Sequence, residues 1–280
     1  MHWWLMILLA GAAVGRAQVV DLPDLNTFYE TVGGQYEVLT PTGDPLGRQV
    51  NAFMNQMLEQ YSRYFNNWSL KPGARVIVFG SREEFRAYTV AQTGLRQDGL
   101  TGYCQLRTAD TGEHYYELVS WVHDDLWRVL AHEGFHQFLG YELGEQVPLW
   151  LNEGLAQYFE TSAVVNGRLQ TGLISRKKLA AAQAWLRLGR VPSLRDLMQM
   201  DAQTFYAHAP VAYPMSWALV YYLLNRDGTA YRSSAFRRYL ADLKVGRDER
   251  KSFQRRFGDE SQPWQHDFEN FILRLAPQVE

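Results

Sequence analysis

The stretch DDLWRVLAHEGFHQFLG, residues 124–140, divides the chain. Before it, short apolar runs alternate with helical periods and turn signals. After it, the pattern is helical almost to the end. Asp124 or Asp125 can cap a helix at its start, because a short acidic side chain accepts from the free N–H groups of a first turn. Leu126, Val129, Leu130, Phe138 and Leu139 then give that helix its apolar flanks.

Upstream, Gln35–Thr40 and Arg75–Phe79 read as short strands. Between them, Val50, Phe53, Met54, Met57 and Tyr61 recur at helical spacing from Leu46 to about Tyr64. Ser81 followed by Glu84 three residues on is a capping-box pattern that starts another helix. Two β-like stretches follow, around Leu100–Leu106 and His114–Val122. Downstream of residue 140 only Val164–Ile174 interrupts the helices, with Asn166-Gly167 marking a hairpin turn. This order predicts an α+β fold. A small mixed sheet occupies the N-terminal half, the helix of residues 124–140 follows, and the C-terminal half is mainly helical. No linker separates two parts, so residues 18–280 are expected to form a single domain.

Composition sets limits on partners. Of 280 residues, 46% are hydrophobic, enough for a large core and too many for a disordered chain. Lys+Arg 28 against Asp+Glu 30 leaves no basic footprint for nucleic acid over the whole chain. One cysteine, Cys104, excludes an intramolecular disulfide framework and a cysteine-rich zinc module. Residues 1–17 read as a signal peptide. Trp3 to Gly15 carries no charge, and Gly15 and Ala17 suit cleavage before Gln18. That run is shorter than the roughly 20 residues a spanning helix needs. Trp217–Leu224 is shorter still. A secreted or periplasmic chain with no stable membrane insertion after cleavage is expected.

His132-Glu133-Gly134-Phe135-His136 has the form H-E-x-x-H. Residues four apart leave the same helix face, so both imidazoles can reach one metal ion. Glu133 stands on the adjoining edge, where its carboxylate can act on a water without binding the metal. A third ligand is available in Pro148-Leu149-Trp150-Leu151-Asn152-Glu153-Gly154-Leu155-Ala156-Gln157-Tyr158-Phe159-Glu160. Leu151, Leu155, Tyr158 and Phe159 are helically spaced, so Glu153 sits on a second helix. Two His and one Glu are three protein ligands with the fourth position open, the pattern of a catalytic zinc site. About one Zn2+ per chain is expected.

H-E-x-x-H followed by N-E-G-x-A-x-Y-x-E resembles the gluzincin metallopeptidases, and more closely the bacterial secreted peptidase-MA-like proteins of unknown function. The resemblance spans roughly residues 75–225. It implies a zincin-like fold, His132, His136 and Glu153 as zinc ligands and Glu133 as general base. It also implies an oxyanion donor at Tyr213, which begins Tyr213-Pro214-Met215-Ser216-Trp217-Ala218-Leu219-Val220, although Pro214 departs from the family pattern. Pro214 suits the first turn of a helix there. His208 is a competing donor, and Tyr213 can instead be packing. The aminopeptidase segment G-x-M-E-N is missing, with Leu100-Thr101-Gly102-Tyr103-Cys104-Gln105 in the comparable region, so an endopeptidase is favoured. Glu160, two turns after Glu153, can accept a hydrogen bond from a ligand His or form a surface ion pair. Trp121, Trp127 and Trp150 receive no role.

The leading expectation is a zinc-dependent peptidase acting on a peptide or protein. The alternatives are a non-catalytic zincin-fold binding or assembly protein at the cell surface, and a zinc hydrolase of another amide or an ester.

Overall fold

A computed structural model describes residues 23–65, 74–94, 96, 98–109, 111–144, 147–165, 168–226, 234–258 and 262–279. The expected signal peptide and the Asn166-Gly167 turn lie outside the described residues. Two compact units divide the chain. One comprises residues up to Glu59 and Ser69–Tyr141. The other comprises Gln60–Trp68 and the residues from Glu142 onward.

The first unit holds a five-stranded sheet. Its elements are β1 (Tyr29–Gly33), β2 (Tyr36–Thr40), most of α1 (Asp44–Tyr64), β3 (Ala74–Phe79), α2 (Arg82–Thr93), β4 (Gly102–Thr108), β5 (His114–Trp121) and most of α3 (Leu126–Leu143). The strand order is β1-β2-β3-β5-β4. The three inner strands are parallel and both edge strands antiparallel, so the sheet is mixed, as expected. Successive side chains of a strand point to opposite faces. Leu39, Ile77, Phe79, Tyr103 and Val119 therefore form one core with Phe85 and Tyr88 of α2. The expected capping box starts α2: Ser81 accepts from the Glu84 N–H at 3.2 Å, and Ser81 N–H donates to the Glu84 carboxylate at 3.0 Å. A polar row crosses the same face in register, Glu37, Arg75, Glu117 and Gln105. Buried Glu117 accepts from the Tyr88 hydroxyl and the Gln105 amide, each at 3.0 Å, which offsets the cost of burying a carboxylate.

Strand β1 was not among the sequence expectations. It is an edge strand whose Tyr29 and Val32 are exposed, so no alternation of apolar and polar residues announces it. Side-chain amides of α1 tie down its turn. Asn51 donates to the carbonyls of Gly33 and Tyr36 at 3.1 and 2.9 Å, and Asn55 accepts from Gln35 N–H at 3.0 Å.

The second unit is mainly helical. It contains α4 (Leu149–Glu160), the hairpin of β6 (Ser162–Val165) and β7 (Arg168–Thr171), α5 (Arg176–Arg187), α6 (Leu194–Met198), α7 (Ala202–Ala207), α8 (Ala209–Asn225), α9 (Ser234–Lys244), α10 (Glu249–Phe257) and α11 (Gln262–Arg274). β6 and β7 pair antiparallel from Ser162↔Thr171 to Val165↔Arg168, the expected hairpin. Helix α8 corrects one expectation. It begins at Ala209, so Pro210 lies in the first turn and Pro214 lies inside the helix. A proline there leaves the carbonyl four residues back without its helical donor. That carbonyl belongs to Pro210, and it accepts instead from the Trp185 indole N–H at 2.9 Å. Among the described residues no helix is long and apolar enough to cross a membrane.

Candidate metal centre

In the first unit, α3 carries His132, Glu133 and His136. Val129 N–H bonds the Asp125 carbonyl at 3.0 Å, which puts Asp125 at the cap position of this helix. Every residue from Val129 to Gly140 is buried, so α3 has no solvent face over this span. The two imidazoles stand edge to face with ring centroids 4.8 Å apart, the expected consequence of a four-residue spacing. Glu133 is buried with them, 1% exposed.

The sheet fixes how α3 is turned. Gln137, the residue after His136, donates its side-chain amide to the carbonyls of Tyr116 on β5 and Arg75 on β3, at 2.8 and 3.1 Å. Both are main-chain acceptors, so the rotation of α3 about its axis is tied to two neighbouring strands. Gly102 sets the distance. A Cβ at Gly102 would lie 2.4 Å from Val129 Cγ1 and 3.6 Å from Glu133 Cγ, so only glycine lets the start of β4 come this close to α3. Cys104, two residues on, is buried. Burial pushes its thiol well above the usual range, and the negative charges of Glu133 and Glu117 add to this. Cys104 is thus a neutral packing thiol, unsuited to nucleophilic work.

In the second unit, α4 carries Glu153, fully buried. The next residue explains part of the Asn-Glu-Gly pattern. A Cβ at Gly154 would lie 2.5 Å from the Ser216 carbonyl oxygen and 2.7 Å from Val220 Cγ2, so α4 and α8 touch main chain to main chain. One turn after Glu153, Gln157 donates to the Tyr213 carbonyl at 3.0 Å. Tyr213 is half-buried on α8, its ring 5.4 Å from that of Phe205 on α7. His208, between α7 and α8, is exposed, with Nδ1 2.9 Å from the Thr204 carbonyl. Glu160 is buried and faces Lys178 of α5, with 2.9 Å between carboxylate and ammonium. Lys178 also reaches the Gln157 carbonyl and the Thr161 hydroxyl, the latter at 2.6 Å. Of the two roles open to Glu160, the ion pair is thus present, buried rather than at the surface.

The tryptophans beside the motif lie in packing. Trp150 is 6.4 Å from Tyr239 and 6.1 Å from Phe253, ring to ring. Trp127 packs on Phe53 and Trp121 on His123. Gln137, Gly102, Gly154 and Gln157 are the residues that sequence reasoning passed over. Only the glycines left a signal, since a glycine inside a helix or strand marks a close approach.

Residues 128–240 match the model of a family described as "Protein of unknown function (DUF1570)", less than half of the chain. No curated protein matches. Among solved structures, the chain is similar to an M1 zinc metallopeptidase variant from Deinococcus radiodurans, at 19% identity and a TM-score of 0.46. That match covers 90% of this chain and 53% of the metallopeptidase, so the chain spans about half the length of that protein.

Proposed function

We propose that the protein is an exported zinc-dependent peptidase, with endopeptidase action favoured. One observation carries this reading: α3 holds two facing imidazoles and a carboxylate on one buried edge. A helix without a solvent face has little reason to spend three polar positions there unless they have work to do. Glu153 is the third ligand in this reading. All three side chains are buried and each offers one ligand atom. Two neutral His nitrogens and a carboxylate oxygen form a set that suits zinc.

A bound zinc ion supplies the Lewis acid for the scissile carbonyl and the attacking water. Glu133 takes the proton of that water at a carboxylate oxygen and passes it to the leaving nitrogen. Its buried setting keeps bulk water from taking the proton first. Tyr213 donates its hydroxyl to the carbonyl oxygen as negative charge develops, and Gln157 holds the backbone at Tyr213. Export follows from the uncharged run Trp3–Gly15, and amino-terminal sequencing of exported material is expected to begin near Gln18.

The test is a peptide-library digest under zinc-replete conditions, wild type beside Glu133→Gln. The expected result is cleavage within peptides by the wild type and almost none by the variant. Failure of the wild type to cleave any peptide overturns the peptidase reading.

A further inference from the structure

The chain as a whole carries a formal charge of −2, yet residues 234–258 hold eight Lys and Arg against three Asp and Glu. Those residues are α9, α10 and the loop between them. The acids face inward or close helix ends. Asp242 is buried and takes Arg247 and Arg256, the latter at 2.8 Å. Asp248 caps α10 by accepting from Lys251 N–H. Glu249 accepts from the Tyr239 hydroxyl at 2.8 Å. Of the other cations, Lys244 is paired with Glu142 at 2.6 Å and the rest lie at the surface. On α10, Arg250, Lys251 and Arg255 are all exposed and lie within one face of a 3.6-residue period. On α9, Arg238 is exposed and Arg237 is half-buried on the same face.

Tyr239 of α9 and Phe253 of α10 both pack against Trp150, so the opposite side of each helix turns away from that ring. Helix stability accounts for Arg255, in the last turn of α10, but not for two of the others. Arg250 and Lys251 stand in the first turn of α10, where positive charge opposes the helix dipole. At the loop between the helices, Val245 is 68% exposed, flanked by Lys244 and by Gly246-Arg247. A polyanion in water gains nothing from an exposed valine. A bilayer surface gains from both, since lipid headgroups take the cations and the acyl boundary takes the apolar tip.

We propose that the exposed cationic face of α10, with Val245 in the loop before it, docks the protein on an anionic phospholipid bilayer. This proposal does not rest on the metal site. Its test is sedimentation of the full chain with vesicles of phosphatidylcholine containing 30% phosphatidylglycerol, beside vesicles of phosphatidylcholine alone. The neutral vesicles measure whatever the N-terminal apolar run contributes. Binding to the anionic vesicles is expected to exceed that baseline and to weaken as salt is raised. Arg250→Gln, Lys251→Gln and Arg255→Gln together are expected to lower the excess by about 100-fold, at roughly fivefold per cation. Val245→Asp is expected to lower it further. Arg168→Gln, Lys177→Gln and Arg195→Gln together remove three exposed cations elsewhere in the second unit and are expected to leave it unchanged. Far-UV circular dichroism checks that each variant is folded. Equal binding to both vesicles, or an equal loss in the control triple, overturns the proposal. So does binding to soluble polyglutamate as strong as to the anionic vesicles and indifferent to Val245→Asp, which would make the face a site for acidic protein.

Discussion

Helices α3 and α4 both carry buried candidate ligands, and different forces hold them. α3 is set by neutral contacts with a sheet: Gln137 bonds two main-chain carbonyls, and Gly102 admits β4 to within van der Waals reach of Glu133. α4 is set by other helices. It touches α8 through Gly154, reaches the Tyr213 backbone through Gln157 and meets α5 through the buried pair Glu160–Lys178. The sheet-held helix presents the proposed base. The helix-held one presents the proposed third ligand, and its setting depends on a charge. Substitutions at α3 should thus change chemistry first, and substitutions around α4 should change stability first.

The largest separation is expected at Glu133. Glu133→Gln keeps the shape and a hydrogen-bonding amide but cannot take a proton. Turnover should fall by about 10² to 10⁴ while the melting transition stays near wild type. A variant that loses stability in proportion to activity would erase the contrast. Next is Lys178→Met, which removes the cation facing buried Glu160. Breaking a buried ion pair typically costs about 3–5 kcal/mol, read here as a lowered denaturant midpoint, and Glu160→Gln in the same chain should recover part of it. No change in the midpoint would show that α4 is not held by this pair.

Tyr213→Phe sharpens the comparison from the α8 side. The hydroxyl goes, but the backbone carbonyl that Gln157 holds is kept, so the transition should be unmoved. Turnover should fall by roughly 10² with little change in KM if the phenol is an aligned donor. Unchanged turnover would make Tyr213 a packing residue and move the donor role to His208. The smallest effect is expected for Gly154→Ala. The added methyl meets the Ser216 carbonyl, a main-chain atom that cannot rotate away, and overpacking of this kind costs about 1–3 kcal/mol. Thermal unfolding of the variant checks it.

The parts legible in the sequence were those written in local spacing. The four-residue step of His132 and His136, the Ser81–Glu84 box and the apolar period of α1 each act within one element, and each appears in the structure. What was not legible depends on distant partners. β1 hides because an exposed edge strand needs no alternation, and its turn is held by Asn51 and Asn55 from α1. The start of α8 was misplaced because Pro214 looks like a first-turn proline. Its cost is met by Trp185 of α5, bonded to the Pro210 carbonyl, a contact that no local pattern displays. The Gln157 amide reaches Tyr213 on a different helix, so its part in holding that residue shows only once the chain is folded.

The measurement closest to the central claim is the zinc content of the purified full chain, compared across wild type, Glu133→Gln and His136→Ala. The account predicts about one zinc ion per chain in the wild type and in Glu133→Gln, and almost none in His136→Ala. Zinc retained at the wild-type level in His136→Ala would contradict it.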